Sequence, residues 1–206
     1  MTISKFTSHP WHGIEPLLDT EGYLTCFIEV TPTDTVKFEI DKPSGLLKID
    51  RPQKFSNVVP ALYGFIPQSY CGEKVSHLCM NSTGQKNIVG DGDPLDICVL
   101  TSKYIPHGNI LLRAKPIAGL RMIDKNEADD KIIAILKDDD VYQNWNDLND
   151  IPKALIQKLK HYFLTYKNMP DALLADRIVS IPEIYNKTEA LKVVESSFQD
   201  YINLVK

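Results

Sequence analysis

Three carboxylates fall within six positions at Asp91-Gly92-Asp93-Pro94-Leu95-Asp96, and no fold can bury that segment as ordinary packing. The charges repel one another, and holding them together costs stability unless something positive sits between them. Hard divalent cations fill that role, because Mg²⁺ and Ca²⁺ take oxygen ligands and carboxylates supply both oxygen and charge. Gly92 and Pro94 are ordinary turn residues, but a turn has no need of three acids. An EF-hand loop starting at Asp91 would need oxygen at its fifth position and a glutamate at its twelfth, where Leu95 and Ser102 stand. A phosphorylatable DxDxT loop fails too, since Leu95 takes the threonine's place.

Around this segment the chain reads as short strands. Val36, Phe38 and Ile40 fall on one face of a period-two run, leaving Lys37 and Glu39 together on the other. Asp41-Lys42-Pro43-Ser44-Gly45 has turn chemistry, and Leu46 to Asp50 returns as the partner strand. Strand-like runs recur at Leu95–Leu100, Ile110–Ala114, Ile117–Met122 and Lys131–Leu136. Short strands joined by Gly, Pro and Asp turns suggest a small closed or nearly closed barrel. Then the period changes. Asp150 is placed to cap a helix with Pro152 near its first turn, and Leu155, Leu159, Tyr162, Phe163 and Tyr166 make one apolar stripe. A last helix is expected from about Thr188 to Leu204, with Leu191, Val194, Phe198 and Tyr201 inward. The fold class is α+β with a mainly β core: a barrel followed by two packing helices. Residues 67–90 fit neither pattern and read as an inserted loop, and 1–24 as an N-terminal extension of one domain spanning 1–206.

Composition narrows the function classes. The 206 residues are 43% hydrophobic and 24% charged, ordinary for a globular chain. A net charge of −4 argues against a nucleic-acid binder that works by broad phosphate neutralisation. No apolar run approaches the ~20 residues of a membrane span, and Met1 to Pro10 lacks the apolar core of a secretion signal. Cys26, Cys71, Cys79 and Cys98 have no zinc-pair spacing and read as free thiols in a reducing cytoplasm. The histidines form no metal spacing.

A second acidic group, Asp124, Asp129 and Asp130, sits between two strand-like runs. Alone it would be a charged hairpin loop; facing Asp91–Asp96 across a cavity it would complete a multi-metal site. Lys37, Arg51, Tyr63, Lys131, Tyr166 and Lys167 are each unremarkable singly, but together suit a phosphate-rich substrate. Carboxylates for metal and cations for phosphate describe metal-assisted phosphoryl transfer.

With these motifs in order, the chain resembles a soluble family I inorganic pyrophosphatase. The resemblance covers roughly Cys26 to Met169. It rests on FIEV with Glu29, KFEIDKPSGLLKIDR from Lys37 to Arg51, YGFIP ending at Pro67, DGDPLD, MIDKNEADDK from Met122 to Lys131, and HYFLTYK ending at Lys167. It implies a five-stranded barrel of the OB type and hydrolysis of pyrophosphate to two orthophosphates by a metal-activated water, without a covalent intermediate. Asp91, Asp96 and Asp129 would hold a first Mg²⁺, with Asp96 reaching towards a second. Asp124 and Asp129 would bind an ion arriving with substrate, and Glu39 a further one; Mn²⁺ or Co²⁺ would substitute. Asp93 would be the base for the attacking water, with Tyr63 beside it as a catalytic group. Lys37, Arg51, Tyr63, Tyr166 and Lys167 would grip phosphoryl oxygens, with Lys131 beside them, and Glu29 would line the cavity or bind metal through water. A homohexamer is the expected assembly and a dimer the alternative, in the cytoplasm, with neither nucleic acid nor membrane as partner. Val59 and Leu62 depart from the family's common tyrosine and asparagine at those places. An oligonucleotide-binding barrel, a nucleotide phosphohydrolase and a calcium binder are the competing readings. Acid excess, the lack of a GxxxxGK loop and the failed EF-hand spacing weigh against them in turn.

Overall fold

A computed structural model describes residues 8–167 and 179–206. The strands are β1 Leu24–Val30, β2 Val36–Ile40, β3 Leu47–Pro52, β4 Leu62–Phe65, β5 Val89–Gly90, β6 Asp96–Leu100, β7 Ile110–Asp124, β8 Glu127–Ala128, β9 Lys131–Leu136 and β10 Val179–Asn186. Three α-helices accompany them: α1 Glu73–Thr83, α2 Lys153–Thr165 and α3 Lys187–Leu204. The chain is thus α+β and mainly β, as expected.

Strand pairing runs β1–β4–β6–β9–β7 and returns from β7 to β1. All these pairings are antiparallel except β6 with β9, which places Asp96 directly beside Lys131. The runs expected at Ile110–Ala114 and Ile117–Met122 are one strand. A register shift between Pro116 and Ala118 absorbs the proline that lacks a ladder N–H. The first half of β7 pairs with β1, and the second with β10. The β2–β3 hairpin stands apart as its own two-stranded sheet.

Alternate residues of β6 and β9 feed two separate cores. Ile97, Val99, Ile132 and Ala134 pack with Val193 and Val194 of α3. Cys98, Leu100, Ile133 and Ile135 pack with Ile156, Leu159, Tyr162 and Phe163 of α2. Both faces of these strands are covered, which is why they read as continuous apolar runs. Val59 and Leu62 are fully buried in these cores.

Several expectations need adjustment. Residues 67–90 contain α1, with Val75, Ser76 and Cys79 buried, so the segment is not a structureless loop. Asp150 does not cap α2. Pro152 holds that position without a side-chain bond, while Asp150 closes a 3₁₀ turn, Leu148–Asp150, by a capping box with Asp147. On α3 the buried face is Ala190, Val193, Val194, Ser197, Asp200 and Tyr201, leaving Leu191 and Phe198 only partly covered.

Candidate active site

Residues of eight strands (β1–β4 and β6–β9), of the loop before β6 and of α2 with the residues just after it line a cavity of about 230 Å³. All thirteen residues to which the resemblance gives a role line it, though Asp130 does not: Glu29, Lys37, Glu39, Arg51, Tyr63, Asp91, Asp93, Asp96, Asp124, Asp129, Lys131, Tyr166 and Lys167. Lys42 and Glu127 join them. In the sequence Lys42 has only turn chemistry around it, and Glu127 belongs to a charged loop. A long side chain beside a turn carries no local sign of which way it reaches.

Local structure explains the placement. Gly92 adopts φ +75°, a backbone that side chains disfavour. This lets the Asp93 N–H fold back to Asp91 Oδ1 at 2.9 Å. Hydrogen bonds from Cys71 N to Asp93 O at 2.8 Å and from Leu95 N to Ser69 Oγ at 2.8 Å fasten this loop to the segment before α1. Asp96 and Lys131 open two parallel strands side by side, so their side chains meet, and Lys131 also pairs with Asp129. Tyr63 donates to Asp96 Oδ2 at 2.7 Å. Lys167, just past α2, pairs with Asp124. On the facing hairpin Lys37 lies 3.2 Å from Glu39 and 3.1 Å from Asp50, Arg51 also pairs with Asp50, and the guanidinium lies 5.7 Å from the Tyr166 ring centre. Lys42 at the hairpin's tip pairs with Asp93.

Asp130 parts company with its neighbour. Strand alternation turns it away from the cavity to a fully buried Arg121 at 2.9 Å, with Tyr185 donating to it at 3.0 Å. It is a structural anion and not part of the second acidic group of the site.

Eight carboxyl side chains face five cationic ones in this wall, so negative charge is in excess. The consequence shows in the acids. Burial, together with the Asp96 charge, pushes the Glu29 carboxyl up to about 8. Burial and then Asp129 raise Asp91, and burial raises Asp96 despite Lys131. Burial acts on Asp129 too, but Lys131 and Lys167 outweigh it and hold that carboxyl below the usual range. Burial works against the Lys131 ammonium, yet Asp129 and Asp96 keep its proton on more firmly than in an ordinary lysine.

The donor set is all oxygen, which suits Mg²⁺. Asp124 Oδ1 is buried without a hydrogen-bond partner, a lone pair aimed at nothing the protein supplies. Among the described residues no three acids, histidines or thiols already converge as a closed metal cage; lysines stand between the carboxylates. The arrangement therefore fits hard cations shared with a ligand better than a preformed structural site.

The chain is similar to known proteins over most of its length. The family model for inorganic pyrophosphatase matches residues 26–202. A protein of Chlamydia caviae named inorganic pyrophosphatase is 54% identical over 199 residues, covering 95% of this chain and 91% of the relative. One from Chlamydia trachomatis serovar L2, of the same name, is 51% identical over 201 residues, 96% and 95% of the two chains. Among solved structures, the Thermus thermophilus inorganic pyrophosphatase superposes with TM-score 0.75 at 26% identity over 95% of this chain and 99% of that one. The matched span begins at β1, ends inside α3 and takes in every strand and helix that lines the cavity: the chain belongs to the inorganic pyrophosphatase family.

Proposed function

We propose that this chain hydrolyses pyrophosphate to two orthophosphates with Mg²⁺ as cofactor. The observation that carries the reading is the cavity wall, where acids in excess and a smaller set of cations come from segments far apart in sequence. Asp91, Asp96 and Asp129 would hold one ion, Asp124 with Asp129 another, and Glu39 a further one, with Glu29 reaching metal-held water. Bound Mg²⁺ would offset phosphoryl charge and lower the pKa of a water. Mn²⁺ and Co²⁺ present similar charge and are the natural substitutes.

The protein's own groups do the rest. Asp93, half-exposed at 50% where Asp96 is 22%, can turn to accept a proton from water. Arg51 and Lys37 on the hairpin and Lys131, Tyr166 and Lys167 opposite bind phosphoryl oxygens, Arg51 bidentately. Tyr63 holds Asp96 through its hydroxyl at 2.7 Å and lines the cavity beside it. On this reading the attacking group is a metal-activated water, so phosphoryl transfer goes directly to water with no covalent adduct.

The ring of five strands is, on this reading, the closed OB-type barrel, and the whole chain is one domain. No helix among the described residues is long and apolar enough to cross a membrane. The four cysteines are free and buried, which favours the cytoplasm. A homohexamer is the proposed assembly and a dimer the alternative, to be separated by sedimentation. The function is tested by orthophosphate release from pyrophosphate and from ATP, each with Mg²⁺ and with a chelator. Release from pyrophosphate with Mg²⁺ alone supports the proposal; release from neither, under any of the three metals, overturns it.

A further inference from the structure

The β2–β3 hairpin carries Lys37, Glu39 and Arg51 to the cavity, yet it is not part of the main sheet. Its position over the acids needs some other anchor. Part of that anchor lies in a segment with only weak family resemblance, the turn His9–Gly13.

His9 Nε2 lies 2.9 Å from the Lys42 carbonyl at the hairpin tip. A carbonyl only accepts, so Nε2 carries the proton and Nδ1 is bare. Nδ1 in turn accepts from the backbone N–H groups of Trp11 at 3.2 Å and His12 at 3.3 Å, and Gly13 N closes the turn on His9 O at 2.7 Å. The ring is thus held on both nitrogens. Gly45, at φ +72°, lies flush against it: a Cβ there would stand 2.8 Å from His9 Cδ2. The hairpin tip is therefore seated on the imidazole by a hydrogen bond and by a close contact.

The same turn reaches the other wall. Trp11 is 4% exposed and packs with Ile40 of the hairpin and Phe65 of β4. Its indole donates to Ser69 O at 2.7 Å, and the Ser69 hydroxyl accepts from Leu95 N, two residues from Asp93. One short turn touches the hairpin on one side and the backing of the acidic loop on the other.

We infer that His9 is a positioning residue for the reaction, bracing the hairpin so that Lys37, Glu39 and Arg51 stay at a fixed gap from Asp91, Asp93 and Asp96. The inference rests on the proposed roles of those hairpin residues. A misplacement of an ångström distant from the chemistry can cost up to about a hundredfold in rate, and the loss of one anchor among several should cost less, since Ile40 N also donates to Glu29 Oε1 of β1 at 2.7 Å and Lys42 pairs with Asp93.

The test compares His9→Ala with His9→Gln, whose amide can still donate to the Lys42 carbonyl. Steady-state kinetics with Mg²⁺ and pyrophosphate are run far below melting, with hydrogen exchange of the backbone amides alongside. His9→Ala should lose roughly tenfold in kcat/KM, more in KM than in kcat. Amides of β2 and β3 should exchange faster while those of β6 and β9 do not change, and His9→Gln should recover most of both losses. Wild-type kcat/KM in His9→Ala, or unaltered hairpin exchange, would overturn the brace. So would a His9→Gln protein as impaired as His9→Ala. Arg51→Ala, run in parallel, checks the site reading separately. Full activity there would remove the hairpin from the substrate site, whereas the exchange data still decide whether His9 holds the hairpin.

Discussion

Lys131 shows how one side chain makes two buried acids tolerable. Its ammonium is 2% exposed and pairs with both Asp96 and Asp129. Lys131→Met would leave Asp96 and Asp129 without their shared counter-charge, only the more distant Lys167 remaining to Asp129. In chelator that protein should lose roughly 3–5 kcal/mol of stability, the usual cost of removing one partner from a buried pair. Denaturant unfolding measures it, and an unchanged midpoint would mean that the acids are neutralised some other way. Asp93 is different, being half-exposed and paired with Lys42 at the cavity mouth. Asp93→Asn should lower kcat by ~10²–10⁴ while Mg²⁺ binding, followed by calorimetry, stays near wild type. Unchanged kcat would remove Asp93 from the role of base. Most of these residues were legible because they sit in compact motifs whose charge has no packing rationale. Lys42 was not, because it looks like any lysine in a turn. Asp130 misled for the opposite reason: adjacent acids on a strand end point to opposite sides, and only the fold says which one faces Arg121.

At the scale of elements, legibility followed where each element gets its support. The β6 and β9 strands were readable because both faces are apolar. Helix α1 was not, because its N-cap is Gly72, which has no side chain to signal a start. Its first N–H groups are instead satisfied by Asp200 of α3, which accepts from Gly72 N at 3.0 Å, Lys74 N at 3.0 Å and Val75 N at 3.1 Å. A cap supplied from the far end of the chain leaves no local trace. Asp200→Ala should therefore cost about 1–3 kcal/mol and speed exchange in α1 before the sheet; full wild-type stability would deny Asp200 that role. The β10 strand was missed because Pro182 demotes it, and its pairing slips register between Ser180 and Glu183 to accommodate that residue. The turn after β9 makes a pH prediction. Asp139 accepts from Thr101 Oγ1 at 2.7 Å, Ser102 N at 2.6 Å, Val141 N at 3.0 Å and Tyr142 N at 2.8 Å. Burial opposes its charge, but these bonds prevail and hold the carboxyl down at about 2 from an ordinary 3.8. A depressed carboxyl stabilises the fold above its unfolded value and loses that contribution as pH falls through its folded one. Asp139→Asn should thus cost roughly 2 kcal/mol at neutral pH and flatten the loss of stability between pH 3.8 and about 2. An equally steep acid limb in the variant would contradict this.

For the whole molecule, the central fact is electrostatic. A ring of strands gathers acids from β1, β6, β7, the loop before β6 and the segment before β9, while the hairpin, β9 and the segment just after α2 bring cations. Burial first, and then the neighbouring carboxylates, raise Asp91, Asp96 and Glu29 above their ordinary range. Added divalent charge would relieve that cost, so Mg²⁺ binding and stability should rise together. The sequence carried the identity of the cavity-lining residues but not the gap between hairpin and acids. That gap depends on tertiary contacts such as His9 with Lys42, which no periodicity encodes. The most direct measurement is a crystal structure grown with Mn²⁺ and a non-hydrolysable pyrophosphate analogue, read by anomalous scattering. This account predicts manganese peaks bounded by Asp91, Asp96, Asp124 and Asp129, with the analogue against Arg51, Tyr166 and Lys167. Manganese or analogue bound only elsewhere, with Lys131 still closing Asp96 and Asp129, would contradict it.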